Sequence, residues 1–290
     1  MGQAMAATVP AARAVFDAAD DALGFPLSAI CAEGPLERLT ETEITQPALV
    51  TTSLACVAAL RDAGIEADVH VGHSVGEYAA LAGAGLASDV DAIRLVRARG
   101  EATAAAARRR PGAMAAILGL EDAVVEALCE GIDGVWPANY NSPGQIVVSG
   151  TVEGVDALII AAEGAGARRA IKLKVAGGFH SPLSASAGDD LRPVLETVAF
   201  RPPSTRFFST TTVRAEDEHT IAQLLLDQLG APVRFTQTVQ ALREEGVETF
   251  VEVGSGSVLS GLIRRIDRSL ATLSVQGPDD IPRLRDLLDA

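Results

Sequence analysis

Cysteine is scarce in this chain, and its three residues, Cys31, Cys56 and Cys129, lie far apart without metal-ligand spacing, which argues for core thiols over a disulfide framework or a metal site. Basic side chains are also in short supply. With 24 of them against 38 acidic ones, the formal charge is −14, which argues against nucleic acid or an anionic membrane surface as the main partner. No apolar run approaches the roughly 18 residues that suggest a membrane span. The opening MGQAMAATVPAARAVFD lacks the basic start and continuous apolar stretch of a secretory signal, so a cytoplasmic location is expected. What is present is 290 residues, 48% hydrophobic and 21% charged, enough for one large α/β unit or one unit with a smaller insert. If the partner is itself acidic, docking needs a local basic patch and weakens as salt rises.

Pro10 with apolar Ala12, Phe16, Ala19 and Leu23 before Gly24 predicts a helix, and a second is predicted from Pro47 to Gly64. ADVHV at 67–71 reads as a strand and Val75 onward as a helix. Ser88 and Asp91 form a capping pair opening the helix that carries Arg97 and Arg99, and the alanine-rich 102–107 is also helical. From 113 the order becomes strand, helix, strand, strand, helix, strand, a βαββαβ ferredoxin-like unit. RRRPG before it and AGGFHSP after it mark the crossings between lobes. RFFSTTT, ETFVEVG and LATLSV then alternate with helices, as a continuing parallel sheet would.

Chemistry concentrates at VGHSVGEYAALAG, residues 71–83, where Gly72, Ser74 and Gly76 give G-x-S-x-G between a strand and a helix. That context suits a nucleophile elbow, and the amide of Val75 at the helix start is then aimed at an oxyanion beside Ser74. His73 is a poor base, because adjacent side chains of a tight turn diverge. His70 reads as core and His219, within AEDEH, as a surface residue. His180 remains, in VAGGFHSPL, where paired glycines let the backbone press close to a site.

GHSVGEYAAL, RGEA at 99–102, TQPAL at 45–49, NYNSPGQIVVSG, VAGGFHSPL, QLGAPVRF and VEVGSGSVLSGLIRR, in these positions, resemble the malonyl-CoA:acyl-carrier-protein transacylases over nearly the whole chain. The resemblance implies an α/β-hydrolase-like parallel-sheet lobe, 1–111 and 179–290, carrying a ferredoxin-like subdomain at 112–178. It implies Ser74 as nucleophile, His180 as general base, and the backbone carbonyl of Gln228 as the group that orients the imidazole. Read alone, Arg99 is a solvated helix arginine; by resemblance its planar fork pairs with the free carboxylate of a malonyl group. Gln46 and Gln145 match positions lining the same pocket, and Phe179 stands where phenylalanine accompanies malonyl over methylmalonyl preference. The substrates implied are malonyl-CoA and the phosphopantetheine thiol of acyl carrier protein, with no cofactor and no metal. Arg108, Arg109, Arg110, Arg168, Arg169, Lys172 and Lys174 are candidates for the basic patch, or ordinary surface charge.

The pattern is not matched throughout. The family opens with a strand and a Gly-Gln-Gly-Ser-Gln loop whose glutamine amide is the second oxyanion donor; neither is found here, and the expectation is a sequence that starts late, with an unpaired sheet ladder. Thr103, Ala104, Ser184, Ser255 and Phe235 replace the family's usual residues, none of them a reacting group. A serine hydrolase would need an acidic triad member between Ser74 and His180, for which Asp156 and Glu163 are available but fall on an insert helix. A weakly active or non-catalytic carrier-binding protein is the other alternative.

Overall fold

In the computed structural model, which describes residues 1–175 and 177–289, two units of different construction meet at the serine. Ala176, inside the VAGGFH stretch, and Ala290 lie outside the described residues. The inserted unit has strands β2 (Ala113–Leu118), β3 (Val135–Ser142), β4 (Gln145–Gly150) and β5 (Arg169–Lys172), an antiparallel sheet in the spatial order β3-β4-β2-β5. Helices Asp122–Glu130 and Val152–Gly164 cover one face, packing Val125, Cys129, Val155 and Leu158 onto Ala115, Ile117, Ile146 and Val148. This is the βαββαβ order read from the sequence. The opposite face carries Met114, Ala138 and Val147, with Phe179 packed against them.

The larger unit holds β1 (Val69–Val71), β6 (Arg206–Ser209), β7 (Arg214–Glu216), β8 (Thr249–Val253) and β9 (Ala271–Val275). β1 runs parallel to β6 and β8 parallel to β9, as expected for this class, while β7 is an antiparallel addition that the sequence pattern missed. The parallel sheet is in two pieces. Among the described residues β1 is paired only with β6, and β8 only with β9, so each has an open ladder edge.

Helix Pro10–Leu23 ends where predicted, at Gly24 with φ 71°, a left-handed stop that glycine adopts without cost. The next long helix begins earlier than predicted, at Thr42, and runs to Asp62 with Pro47 inside it. Proline has no N–H to give the carbonyl four residues back, which is that of Glu43. Arg97 makes up the deficit by donating Nη1–H to Glu43 O at 2.6 Å. By length and composition this helix could cross a membrane, but 67% of its most apolar window is buried in the fold.

Helix Asp89–Arg109 takes in the alanine-rich 102–107 and passes straight through Gly100. A Cβ there would stand 3.0 Å from the Cα of Glu43, so the glycine permits close helix packing rather than a stop. Ser88 caps this helix as predicted, accepting from the Asp91 amide at 3.1 Å. Cys31, Cys56 and Cys129 are all buried free thiols, and burial pushes each pKa up, to about 11, 11 and 12 respectively.

Candidate active site

The turn between β1 and helix Gly76–Gly83 lifts Ser74 onto left-handed backbone, φ 54°, an uncommon conformation for a residue with a Cβ. Of its two flanking glycines only one is sterically required. A Cβ on Gly72 would lie 2.1 Å from the Gly76 carbonyl carbon, whereas one on Gly76 would meet nothing within 4 Å. Val75 is the N-terminal cap of that helix, so its amide belongs to the set with no intrahelical acceptor.

His180 approaches from the segment that leaves the inserted unit, and it too has positive φ, 56°. Its Nε2 lies 2.6 Å from Ser74 Oγ. Nδ1 faces two carbonyls, Gln228 O at 3.0 Å and Ala231 O at 3.1 Å. Two acceptors on that side fix the proton on Nδ1 and leave the Nε2 lone pair toward the hydroxyl. Burial lowers the His180 pKa to about 3, with Arg99 and His73 adding to the effect and the two carbonyls opposing it. The imidazole is therefore neutral, as a base must be.

The 178–184 loop is held by its own serines: Ser181 Oγ and Ser184 Oγ both donate to Gly178 O, at 2.6 and 2.8 Å. Ser184, one of the departures from the family pattern, thus braces the backbone that carries His180. The orienting carbonyls are anchored in turn. Residues just beyond Ala231 bond to the insert through Val233 N–H to Ala138 O and Tyr140 N–H to Val233 O, both 2.8 Å.

Arg99 is not solvated: it is 5% exposed, and its guanidinium reaches the centre of the site. Nη1–H donates to Gln46 Oε1 at 2.7 Å, and Nη2–H to Ser74 Oγ at 3.1 Å and to Gln228 Oε1 at 3.2 Å. Nε is buried with no hydrogen-bond partner among the described residues. Burial lowers the pKa of this arginine, and Tyr78, whose ring lies 5.8 Å from the guanidinium carbon, and Glu77 counteract it. Gln46 is held by Thr103 Oγ1 at 3.3 Å, so a second departure from the pattern is built into the site.

Ser74, His180, Arg99, Gln46 and Gln228 are thus brought together. Gln145 is not among them: its Oε1 accepts from Arg265 Nη1 at 2.7 Å, on the surface where helix Val258–Ile266 meets the insert. Phe179 packs on the insert sheet beside the site. His73 does not serve Ser74; its Nε2 lies 2.8 Å from Asn141 Oδ1 and its ring leans on Phe235 at 5.4 Å. His70 is half-buried, its pKa lowered by burial to about 4, and the His219 side chain is 81% exposed. Two members of the suggested basic patch are already paired, Arg109 with Asp190 at 2.8 Å and Lys172 with Asp156 at 2.5 Å.

Sequence reasoning missed Ala231, Asn141, the side chain of Gln228, and Glu77. Only Glu77 left a signal, a carboxylate three residues after the serine on a helix that is otherwise apolar. Among the described residues no group of three or more His, Cys, Asp and Glu could hold a metal ion.

A serine on left-handed backbone, a neutral imidazole and a buried guanidinium converge here, an arrangement suited to acyl transfer. The acyl transferase domain family model matches residues 1–278. The malonyl CoA-acyl carrier protein transacylase of Bacillus subtilis is 42% identical over 97% of this chain and 90% of its own length. The acyl-carrier-protein S-malonyltransferase of Bartonella henselae superposes with TM-score 0.96 at 37% identity, covering 100% of this chain and 95% of the other. A malonyl-transacylase solved with its type II polyketide acyl carrier protein gives TM-score 0.94 at 36% identity, over 98% and 94% of the two chains. The chain belongs to the malonyl CoA-acyl carrier protein transacylase family.

Proposed function

We propose that this protein moves a malonyl group from coenzyme A to the phosphopantetheine thiol of acyl carrier protein through an ester on Ser74. The observation that carries the reading is the convergence of His180 Nε2, at 2.6 Å, and Arg99 Nη2, at 3.1 Å, on one serine oxygen. His180 takes the hydroxyl proton as Oγ attacks the thioester carbon, and the Val75 amide donates to the oxyanion. The tetrahedral intermediate collapses with loss of the coenzyme A thiol, which receives that proton from His180. The carrier thiol then gives its proton to His180, attacks the ester, and releases Ser74 as the proton returns to Oγ.

Arg99 selects the acyl group. In malonyl the free carboxylate is separated from the acyl carbon by one methylene, so it lies close to the serine ester. A guanidinium already in contact with Oγ, whose Nε–H has no partner among the described residues, suits a short diacid. Gln46 holds the guanidinium, and Phe179, next to His180 in the chain, is the residue we assign to malonyl over methylmalonyl preference. The chemistry needs no cofactor beyond these side chains, and a cytoplasmic setting agrees with three unpaired thiols. We take 1–111 with 179–290 as the catalytic lobe and 112–178 as the ferredoxin-like small subdomain inserted in it.

The hydrolase reading is not favoured. It requires a carboxylate on His180 Nδ1, and that atom faces two carbonyls, while Asp156 and Glu163 are exposed on the insert. The test is intact mass after mixing with malonyl-CoA, followed by holo carrier protein. A malonyl adduct on Ser74 that the carrier discharges is expected. Failure to form an adduct, or its discharge as free malonate with none on the carrier, would overturn the proposal.

A further inference from the structure

Glu77 takes no part in the steps above, yet it is fully buried, and among the described residues no basic side chain is in salt-bridge contact with it. Its two oxygens do different things. Oε1 accepts from Thr210 N–H at 2.6 Å, Thr210 Oγ1 at 2.9 Å and Ser209 Oγ at 3.0 Å, which ties helix Gly76–Gly83 to the end of β6. Oε2 accepts from the Nε2 of Gln228, itself fully buried. That amide nitrogen also donates to Ser74 O at 3.2 Å, and the amide oxygen accepts from Arg99 Nη2 at 3.2 Å.

The polarity of this chain is forced. A guanidinium has only donors, so Arg99 must meet the oxygen of the amide; the amide then turns its nitrogen to Glu77, which must answer with an acceptor. Glu77, Gln228 and Arg99 thus form a buried chain in which one amide stands between the carboxyl group and the guanidinium. Burial raises the Glu77 pKa, while bonds from Thr210, Gln228 and Ser209 act against it. A purely structural strut accounts for the bonds at Oε1. It leaves Oε2 without a purpose.

We propose that Glu77 is a positioning residue for the acyl clamp, fixing through the Gln228 side chain which end of that amide Arg99 meets, and so where the guanidinium stands to grip the distal carboxylate of the substrate. The inference rests on the reading of Arg99 given above. In Glu77→Gln the new oxygen can keep the Thr210 bonds, but the new NH₂ faces the NH₂ of Gln228. The amide at 228 is then mismatched at one end or the other: it keeps its oxygen on Arg99 and sets NH₂ against NH₂, or it turns over and sets NH₂ against the guanidinium, and either way the guanidinium loses its fixed seat.

The experiment compares malonyl-CoA and acetyl-CoA as donors for E77Q, Q228M and the double variant, with folding checked by thermal melts. Methionine at 228 keeps the backbone carbonyl that orients His180. Loss of a charged hydrogen bond predicts about a tenfold or larger fall in malonyl kcat/KM, carried mainly by KM, with a much smaller fall for acetyl. The double variant should be no worse than the more damaged single. A folded E77Q that keeps its malonyl preference, equal losses for both donors, or additive losses would overturn the proposal. If E77Q does not fold, Q228M decides, and an unchanged preference there rejects the relay. Arg99→Ala separates the two readings: preference lost in R99A but kept in E77Q removes only the role of Glu77, and preference kept in R99A removes the clamp itself.

Discussion

Arg97 donates to the backbone carbonyl of Glu43 at 2.6 Å, taking the place of the amide hydrogen that Pro47 does not have. The same guanidinium pairs with Glu101 at 2.6 Å in a half-exposed setting and lies 5.4 Å from the Phe25 ring. Arg97→Met should therefore cost about 1–2 kcal/mol, nearly all from the orphaned carbonyl. Pro47→Ala restores the missing donor and should stabilise the Arg97→Met protein more than the wild type. Glu101→Ala should change stability by less than about 1 kcal/mol. Urea melts of the four-member cycle measure the coupling; equal effects of Pro47→Ala in both backgrounds would show that the carbonyl is not the shared element.

The two glycines of the serine turn should behave differently. Gly72→Ala drives a methyl into the Gly76 carbonyl carbon at 2.1 Å and should unfold the elbow, giving insoluble or inactive protein. Gly76→Ala places a methyl in open space at a helix start, where stability should hold or rise by up to about 1 kcal/mol. Thermal melts of the pair distinguish steric need from mere resemblance to a motif.

Arg99→Ala should lower malonyl transfer by about 10- to 100-fold, the worth of a lost charge-assisted pair, and acetyl transfer by far less. Steady-state rates with the two coenzyme A thioesters give the ratio directly. A parallel decline would mean that the guanidinium serves the serine oxygen alone.

Acid should weaken the fold before it stops the chemistry. His180 and His70 have folded pKa values of about 3 and about 4 against an ordinary 6.5, and His73 is shifted in the same direction by burial. The unfolded chain takes up protons first, so the stability these groups contribute is complete above 6.5 and lost as pH falls toward 4 and then 3. Glu77 acts oppositely, its raised pKa removing stability as pH rises above 4.5, the ordinary value for that group. Unfolding free energies from urea melts should stay level between pH 7.5 and 6.5 and fall by on the order of 1 kcal/mol or more per pH unit from 6.5 to 5. Over the range where the protein stays folded, kcat/KM should show no inflection at 6.5. A protonation step there would mean that His180 titrates as though it were in water.

The fold was legible wherever local pattern decides it. The strand, helix, strand, strand, helix, strand order from 113 located β2 to β5, and Pro10 with Gly24 bracketed the first long helix to the residue. What escaped depended on contacts distant in sequence. Pro47 looked like a helix start because its remedy, Arg97, is 50 residues away, and the close packing that Gly100 permits is with backbone of another helix. At the site, Ser74 was marked by its turn, but no local feature separates Arg99 from a surface arginine; only the closed fold buries it. Gln145 shows the converse, a position suggested by resemblance whose side chain turns to Arg265. Ala231 contributes nothing but a carbonyl, and a carbonyl leaves no mark in an amino-acid alphabet.

Ser74 and His180 are two of only three non-glycine residues with positive φ among those described. Each spends about 1–2 kcal/mol to hold that shape, and glycine would hold it at no such expense. Drift toward heat tolerance, left unchecked by any demand for turnover, would strip out the reacting pair first. The sturdiest descendants of this sequence would be inert.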